Sequence, residues 1–191
     1  MSSKVIVFDF DKTLTEKDTL FGFYKSVAGS ERMFFAKKII LITAGVLYKI
    51  GLIKNRTLKG IGFFLYLKGK KIEDLEIAAK EYSKKIELNA IYKNYFQKKE
   101  GDKWIISASP EIYLKYVFPN EKIAGTQLSY DGGTVKGLKL NMFGEEKRKF
   151  MTENGISKID ELYTDSMSDK PLMDISEKVF LVKRESVIEN I

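Results

Sequence analysis

A short apolar run, Val5-Ile6-Val7-Phe8, ends on two aspartates one residue apart, Asp9-Phe10-Asp11, followed by Lys12-Thr13-Leu14-Thr15. A continuous β-branched run of this length reads as a strand buried on both faces, hence as part of a parallel sheet covered by helices. Carboxylates at the end of such a strand are costly unless they are paired, hydrogen-bonded or bound to a cation. Residues two apart on an extended chain point to the same side, so Asp9 and Asp11 can face one cavity. Open α/β sheets place ligands beyond the carboxyl ends of their strands, and oxygen donors there suit a hard cation. The plainer reading of Asp-x-Asp is an Asx turn, which explains many such pairs.

The 191 residues contain no Cys and no His. Disulfides, thiolate zinc sites, Ser-His-Asp and Cys-His catalysis and every His-ligated metal are thereby excluded. Hydrolytic chemistry would have to rest on carboxylates, Lys, Ser or Thr and a hard metal ion. No basic stretch followed by an apolar segment and a small-residue cleavage site opens the chain, so a cytoplasmic location is expected.

Strand and helix signals alternate after residue 101. Strands are expected at Lys103 to Ser107, Ile123 to Gly125, Leu162 to Thr164 and Val179 to Val182. Helices are expected at Pro110 to Val117, with Pro at its start, and at Glu146 to Asn154, with Gly155 as its stop. Tyr130-Asp131-Gly132-Gly133-Thr134 is a hairpin turn signal. This alternation argues for a parallel sheet. Residues 17 to about 100 read as helical instead. Glu73 to Lys98 places Leu75, Ala79, Tyr82, Ile86, Tyr92 and Phe96 at helical spacing. The chain thus reads as a discontinuous α/β core, residues 1–15 and 101–191, with a helical insert over 16–100.

The insert holds 18 Lys or Arg against 9 Asp or Glu, a net of +9, whereas the rest of the chain is at −2. Such asymmetry points to an anionic substrate or surface, or simply to a well-solvated helical face. Within the insert, Met33 to Ile53 is more apolar than a surface helix should be, yet it falls short of an uninterrupted span of about 20 apolar residues. The expectation is a helix buried in a bundle. The alternative is an interfacial helix resting on an anionic membrane.

Further side chains carry chemistry. Ser107 ends the strand Trp104-Ile105-Ile106 and can donate to a phosphate oxygen, although Ser107-Ala108-Ser109-Pro110 also has the form of a helix N-cap ahead of Pro. Lys147, in Gly144-Glu145-Glu146-Lys147, can neutralise phosphate charge or be an ordinary surface lysine, and Lys149 is its near rival. Asp165 and Asp169 follow another strand directly and either complete a cation site or mark a loop turn.

Taken in order, strand–DxDxT, strand–Ser, Lys and strand–DxxxD resemble the haloacid dehalogenase superfamily, specifically its phosphoserine-phosphatase-like branch (subfamily IB) with a C1-type helical cap between the first and second motifs. The resemblance covers the whole chain. It implies a Rossmann-like α/β three-layer sandwich with a parallel sheet, plus an inserted α-helical bundle as cap. It implies an Mg2+-dependent phosphomonoester hydrolase, in which Asp9 is the nucleophile and Asp11 the proton shuttle. Ser107 and Lys147 would hold the phosphoryl group. The metal would be held by Asp9, Asp165 and the main-chain carbonyl of Asp11, with Asp169 supporting the metal or Lys147. The Gly-x-x-Lys spacing favours Lys147 over Lys149. Thr13, Ser107, Ala108, Lys147 and Asp18 are the expected substrate-facing positions; Asp18 also suits an N-cap ahead of Thr19-Leu20-Phe21. One position departs from the family pattern, since Thr164 stands where Gly usually precedes the fourth-motif aspartate, and its Cβ would narrow the site or alter the loop path.

The expected partner is a small phosphorylated metabolite. A lipid-linked or cell-envelope phosphate is the variant suggested by residues 33–53 and the basic cap, which would then touch a membrane peripherally. A nucleic-acid-binding module is supported only generically by the charge, because no recognition motif is present, and no nucleic-acid partner is expected.

Overall fold

A computed structural model describes residues 3–183 and 186–189. The chain begins with β1 (Val5–Phe8) and passes into four helices, α1 (Leu20–Val27), α2 (Glu31–Lys49), α3 (Asn55–Tyr66) and α4 (Ile72–Ser83), then a π-helical turn at Tyr92–Phe96. It returns as β2 (Asp102–Pro110), α5 (Glu111–Val117), β3 (Lys122–Asp131), β4 (Thr134–Leu140), α6 (Glu145–Glu153), β5 (Ile159–Thr164), α7 (Lys170–Met173), β6 (Ser176–Lys183) and β7 (Ser186–Glu189).

The strands form one sheet in the order β4-β3-β2-β1-β5-β6-β7. β1 lies between β2 and β5 and is parallel to both; β3 extends the sheet in parallel from β2, and β6 from β5. Only the two edges are antiparallel. The chain leaves β1 toward β2 on one side and returns to β5 on the other, so β1 ends at the topological switch point where such sheets bind ligands.

Alternation along β1 divides the core. Ile6 and Phe8 face a cluster with Ile105, Ile112 and Leu114, while Val7 faces Ile106, Met151, Leu162 and Leu172. The sheet is therefore sandwiched between α5 with the inserted helices on one face and α6 with α7 on the other. Phe23, Tyr24, Phe63 and Tyr66 of the insert belong to the same cluster as Phe8.

The hairpin signal forms as read. Gly132 and Gly133 both carry positive φ, 53° and 76°, the backbone that a two-residue hairpin turn with right-handed twist demands. The hairpin also grips the insert: Gly69 N–H donates to Val135 O at 2.8 Å, Val135 N–H to Lys70 O at 2.9 Å and Ile72 N–H to Gly133 O at 2.9 Å.

Two expectations are corrected. The helix read from Glu73 to Lys98 stops at Ser83. Leu88 bridges Thr15 in antiparallel fashion, and Asn89 Oδ1 accepts the N–H groups of Ile91 and Tyr92 at 3.0 and 3.3 Å, restarting a helical turn there. The other concerns residues 33–53, which are not buried in a bundle. Of α2 only Phe34, Leu41 and Ala44 are buried. Phe35, Ile39, Ile42, Val46 and the following Ile50 form a stripe 51–68% exposed. α2 packs on α3 and only grazes α1, so a helix that is apolar around most of its girth has one side covered.

Candidate active site

The carboxyl ends of β1, β2 and β5 lie side by side, and Asp9, Asp11, Ser107, Lys147 and Asp169 gather around them. Asp9 prolongs the β1–β5 pairing by donating its N–H to Tyr163 O at 2.8 Å. Beyond it the chain coils tightly around the Phe10 carbonyl, which accepts from Leu14 N at 2.8 Å and from Thr13 and Thr15 N at 3.2 and 3.3 Å. The coil forces Lys12 to φ 60°, the one positive φ at a non-glycine among the described residues. Left-handed backbone costs about 1–2 kcal/mol for an L residue, and such strain characteristically persists where surrounding contacts hold a functional loop.

Lys147 lies in the first turn of α6, buried to 3% side-chain exposure, and its Nζ sits 2.9 Å from Asp9 Oδ1 and 2.7 Å from Asp169 Oδ1. Lys149 points away and pairs with Glu146 on the surface at 2.8 Å, which removes it as a rival. Asp169 accepts on its other oxygen from Thr164 Oγ1 at 2.8 Å, and Thr164 Oγ1 accepts from Ser166 N at 3.1 Å. The departure at Thr164 thus supplies a buried hydroxyl that ties Asp169 to the end of β5.

Asp11 turns toward the insert. Its Oδ1 accepts from Thr19 N at 2.8 Å and from Thr19 Oγ1 at 2.7 Å, and its Oδ2 from Ser109 Oγ. Thr19 has one hydroxyl proton and gives it to Asp11, so the 2.8 Å contact with Tyr113 is a bond from the tyrosine. Ser107, two residues before Ser109 and on the same side of β2, accepts from Ser109 N at 3.0 Å and keeps its own proton to donate. Thr13 Oγ1 is buried without a partner.

Burial pushes the Asp9 carboxyl up to about 7; the Lys147 charge opposes this, and Asp169 and Asp11 add to it. Burial likewise raises Asp11 to about 6, helped by Asp18 and opposed by the Ser109 and Thr19 hydrogen bonds. Asp165 is raised by burial, with Lys12 opposing. Lys147 loses hydration, but the two carboxylates against it outweigh that loss and hold it charged.

Sequence reasoning missed four of these groups. Ser109 was legible only within a helix N-cap pattern, and Thr19 only as the residue after a candidate cap. Tyr113 acts through Thr19. Lys59, on α3, reaches across to donate to Ala108 O at 2.5 Å, and burial together with the nearby Lys147 charge lowers it to about 8. No local motif marks Lys59, because its role depends on α3 docking against β4 at the sheet edge. Asp18 is exposed and accepts from Leu20 N at 2.9 Å, an Asx-type turn one residue ahead of the N-cap of α1, which is Thr19 rather than Asp18.

The set fits magnesium. All donors are oxygens, and the carboxylates of Asp9, Asp11 and Asp165 are raised by burial, a cost that a bound cation would offset. Among the described residues no three acidic side chains converge on one point. Magnesium keeps several waters and needs only one or two carboxylates, so it does not require such a cluster.

A stability consequence follows for the metal-free protein. Asp9 and Asp11 titrate near 7 and 6 when folded, against 3.8 ordinarily. Between about pH 4 and 7 the folded state therefore binds more protons than the unfolded one, and stability falls as pH rises. Thermal melts in chelator are expected to give a higher Tm at pH 5 than at pH 7, with the slope reduced in Asp9→Asn. A Tm that rises over this window would contradict the assignment.

A family model described as haloacid dehalogenase-like hydrolase matches residues 6–174. No curated protein matches the chain. Among solved structures, a phosphoserine phosphohydrolase-like protein from Francisella tularensis is 19% identical with a TM-score of 0.68, covering 92% of this chain and 85% of its own. A phospho-aspartyl intermediate analogue of phosphoserine phosphatase is 20% identical with a TM-score of 0.60, covering 94% and 86%. Cytosolic 5'-nucleotidase IIIB bound to cytidine is 16% identical with a TM-score of 0.59, covering 89% and 68%. At these identities the likeness establishes a shared fold.

Proposed function

The chain belongs to the haloacid dehalogenase-like hydrolases, and on that premise we propose that it is a magnesium-dependent phosphomonoester hydrolase acting through an aspartyl-phosphate. The observation that carries the reading is the contrast between its two first-motif carboxylates. Asp9 is engaged through Oδ1 by Lys147, which leaves Oδ2 to attack. Asp11 is gripped on both oxygens by hydroxyl and amide donors and titrates near 6, as a proton shuttle at neutral pH requires.

In the first half-reaction Asp9 Oδ2 forms a bond to phosphorus as the bond to the leaving alkoxide breaks, and Asp11 gives that oxygen its proton. In the second, Asp11 takes a proton from water, which attacks the phosphorus and restores the Asp9 carboxylate. Lys147 stabilises charge on the transferring group, and Ser107 donates to one of its oxygens. Positioning and charge neutralisation are what phosphoryl transfer chiefly needs. Magnesium held by Asp9, Asp165 and the Asp11 carbonyl would neutralise phosphoryl charge. Asp169 holds Lys147 in place, Thr13 and Ala108 line the phosphate side, and Asp18 stands at the rim. In this reading residues 16–100 form the cap that selects the leaving group.

The purified protein is expected to hydrolyse p-nitrophenyl phosphate with magnesium and to lose that activity reversibly in chelator. Turnover that persists in chelator, or that survives Asp9→Asn, would sink the proposal.

A further inference from the structure

One cavity has no part in phosphoryl transfer. It lies between α1, α2 and α3 and has a volume of about 490 Å³, within the range of small-molecule pockets. Leu20, Phe21, Leu41, Ile42, Val46 and Leu58 supply its aliphatic and phenyl side chains. Lys59 marks its inner end, and the exposed Asp18 and Lys49 also line it. Lys59 holds the carbonyl of Ala108, the residue after Ser107, and lies close enough to Asp9, Asp11 and Lys147 to feel their charges. That end therefore adjoins the acids that would receive a phosphate.

The outer end is different. Ile42 and Val46, which line the cavity, are also 51% and 53% exposed on the bare stripe of α2. The apolar wall and the apolar surface are continuous. Around them, the forty residues from Arg32 to Lys71 hold ten Lys or Arg and no Asp or Glu. Among the described residues no helix is long and apolar enough to cross a membrane. An exposed apolar stripe flanked by cations and no anions complements an anionic lipid surface in both apolar area and charge.

We propose that the substrate is an amphiphilic phosphomonoester, with its phosphate at Asp9 and its hydrocarbon in the α1–α2–α3 cavity, drawn from an anionic membrane on which the α2 stripe rests. This deepens the phosphomonoesterase reading and depends on it. A hydrocarbon tail accounts for an apolar wall that runs from Lys59 toward the surface, where Lys49 adds a cation suited to an anionic lipid, and a membrane source accounts for the bare stripe at its mouth.

The test compares dodecyl phosphate, ethyl phosphate and p-nitrophenyl phosphate, each with phosphatidylglycerol or phosphatidylcholine vesicles. Each buried methylene is worth about fourfold in affinity, so four of them predict a dodecyl-over-ethyl preference in kcat/KM of about 100-fold or more. Gly45 offers a clean control, because a Cβ there meets nothing within 4 Å and Gly45 lines the cavity. Gly45→Leu is expected to cut the chain-length preference at least about tenfold and to leave p-nitrophenyl phosphate turnover unchanged. Ile39→Glu with Val46→Glu is expected to abolish sedimentation with phosphatidylglycerol vesicles. Turnover of p-nitrophenyl phosphate without chain-length preference overturns the inference and leaves the phosphatase reading standing. A stripe covered by a second copy in solution, or indifference to vesicle charge, overturns the membrane source. Absence of all three activities overturns both readings together.

Discussion

Replacement of Asp9 by Asn is expected to lower turnover by about 10⁴-fold or more, the scale seen when a nucleophile is removed from a catalytic unit, and at the same time to raise Tm in chelator. The first effect follows from chemistry: an amide oxygen does not displace an alkoxide from phosphorus, and a loss of that size is about 5.5 kcal/mol of transition-state stabilisation. The second follows from electrostatics. Asp9 is buried against Asp169 and Asp11 strongly enough to sit near 7 when folded, so its ionised form opposes folding at neutral pH. Asn keeps the shape and can still accept from Lys147 at Oδ1. A gain of about 1 kcal/mol would raise Tm by about 2–4 °C in a chain of this size. Differential scanning calorimetry on both proteins, with and without magnesium, measures it. A fall in Tm without metal would show that the Lys147 pair outweighs the burial of the charge.

Lys147→Met works in the opposite direction on stability. The lysine sits within 3 Å of both Asp9 and Asp169, and it is their one ion-pair partner among the described residues. Removing it leaves two buried carboxylates facing each other. Breaking a buried pair by deleting one partner costs about 3–5 kcal/mol, a large share of the about 5–15 kcal/mol that holds a domain folded. Tm at pH 7 is expected to fall by about 10 °C. The deficit should narrow at pH 5, where Asp9 is protonated, and with added magnesium. Turnover should drop by about 10²–10³-fold, the usual effect of losing one preorganised charge-stabilising donor. Lys147→Arg is not expected to restore it, because a planar fork does not fill the place of a compact ammonium. A melt within 2 °C of the parent at pH 7 would refute the argument.

The acids and Lys147 were legible because each stands where a strand or helix signal ends, and strand ends are set by local pattern. Asp9 follows Phe8, Asp165 follows Thr164, and Lys147 opens α6 behind Gly144. Thr19, Ser109, Lys59 and Asn89 were not legible as site or hinge residues, since each acts on a partner brought close only by folding. Thr19 and Ser109 belong to different elements yet hold the same carboxylate. Asn89 breaks the helix expected through it by using its side chain on Ile91 and Tyr92 and on the Thr13 carbonyl. The burial expected for α2 failed for a related reason. Apolar content reports how much of a helix can be covered, whereas the neighbours that cover it are a property of the whole fold, and α2 has one main neighbour.

The hydrogen bonds between residues 69–72 and the β3–β4 hairpin restrict how the insert can move. The insert is joined covalently near β1 and β2, and it is fastened again at β4, three strand positions from β1 and so about 14 Å away. A door on two hinges swings only if nothing holds its far side. Here the far side is latched to the edge of the sheet, which removes wholesale rotation as a way of admitting substrate. Passage toward Asp9 is left to small displacements of α1 and α2 beside a fixed α3–α4 junction. A chamber so fastened would be loaded through its flank rather than by lifting its roof.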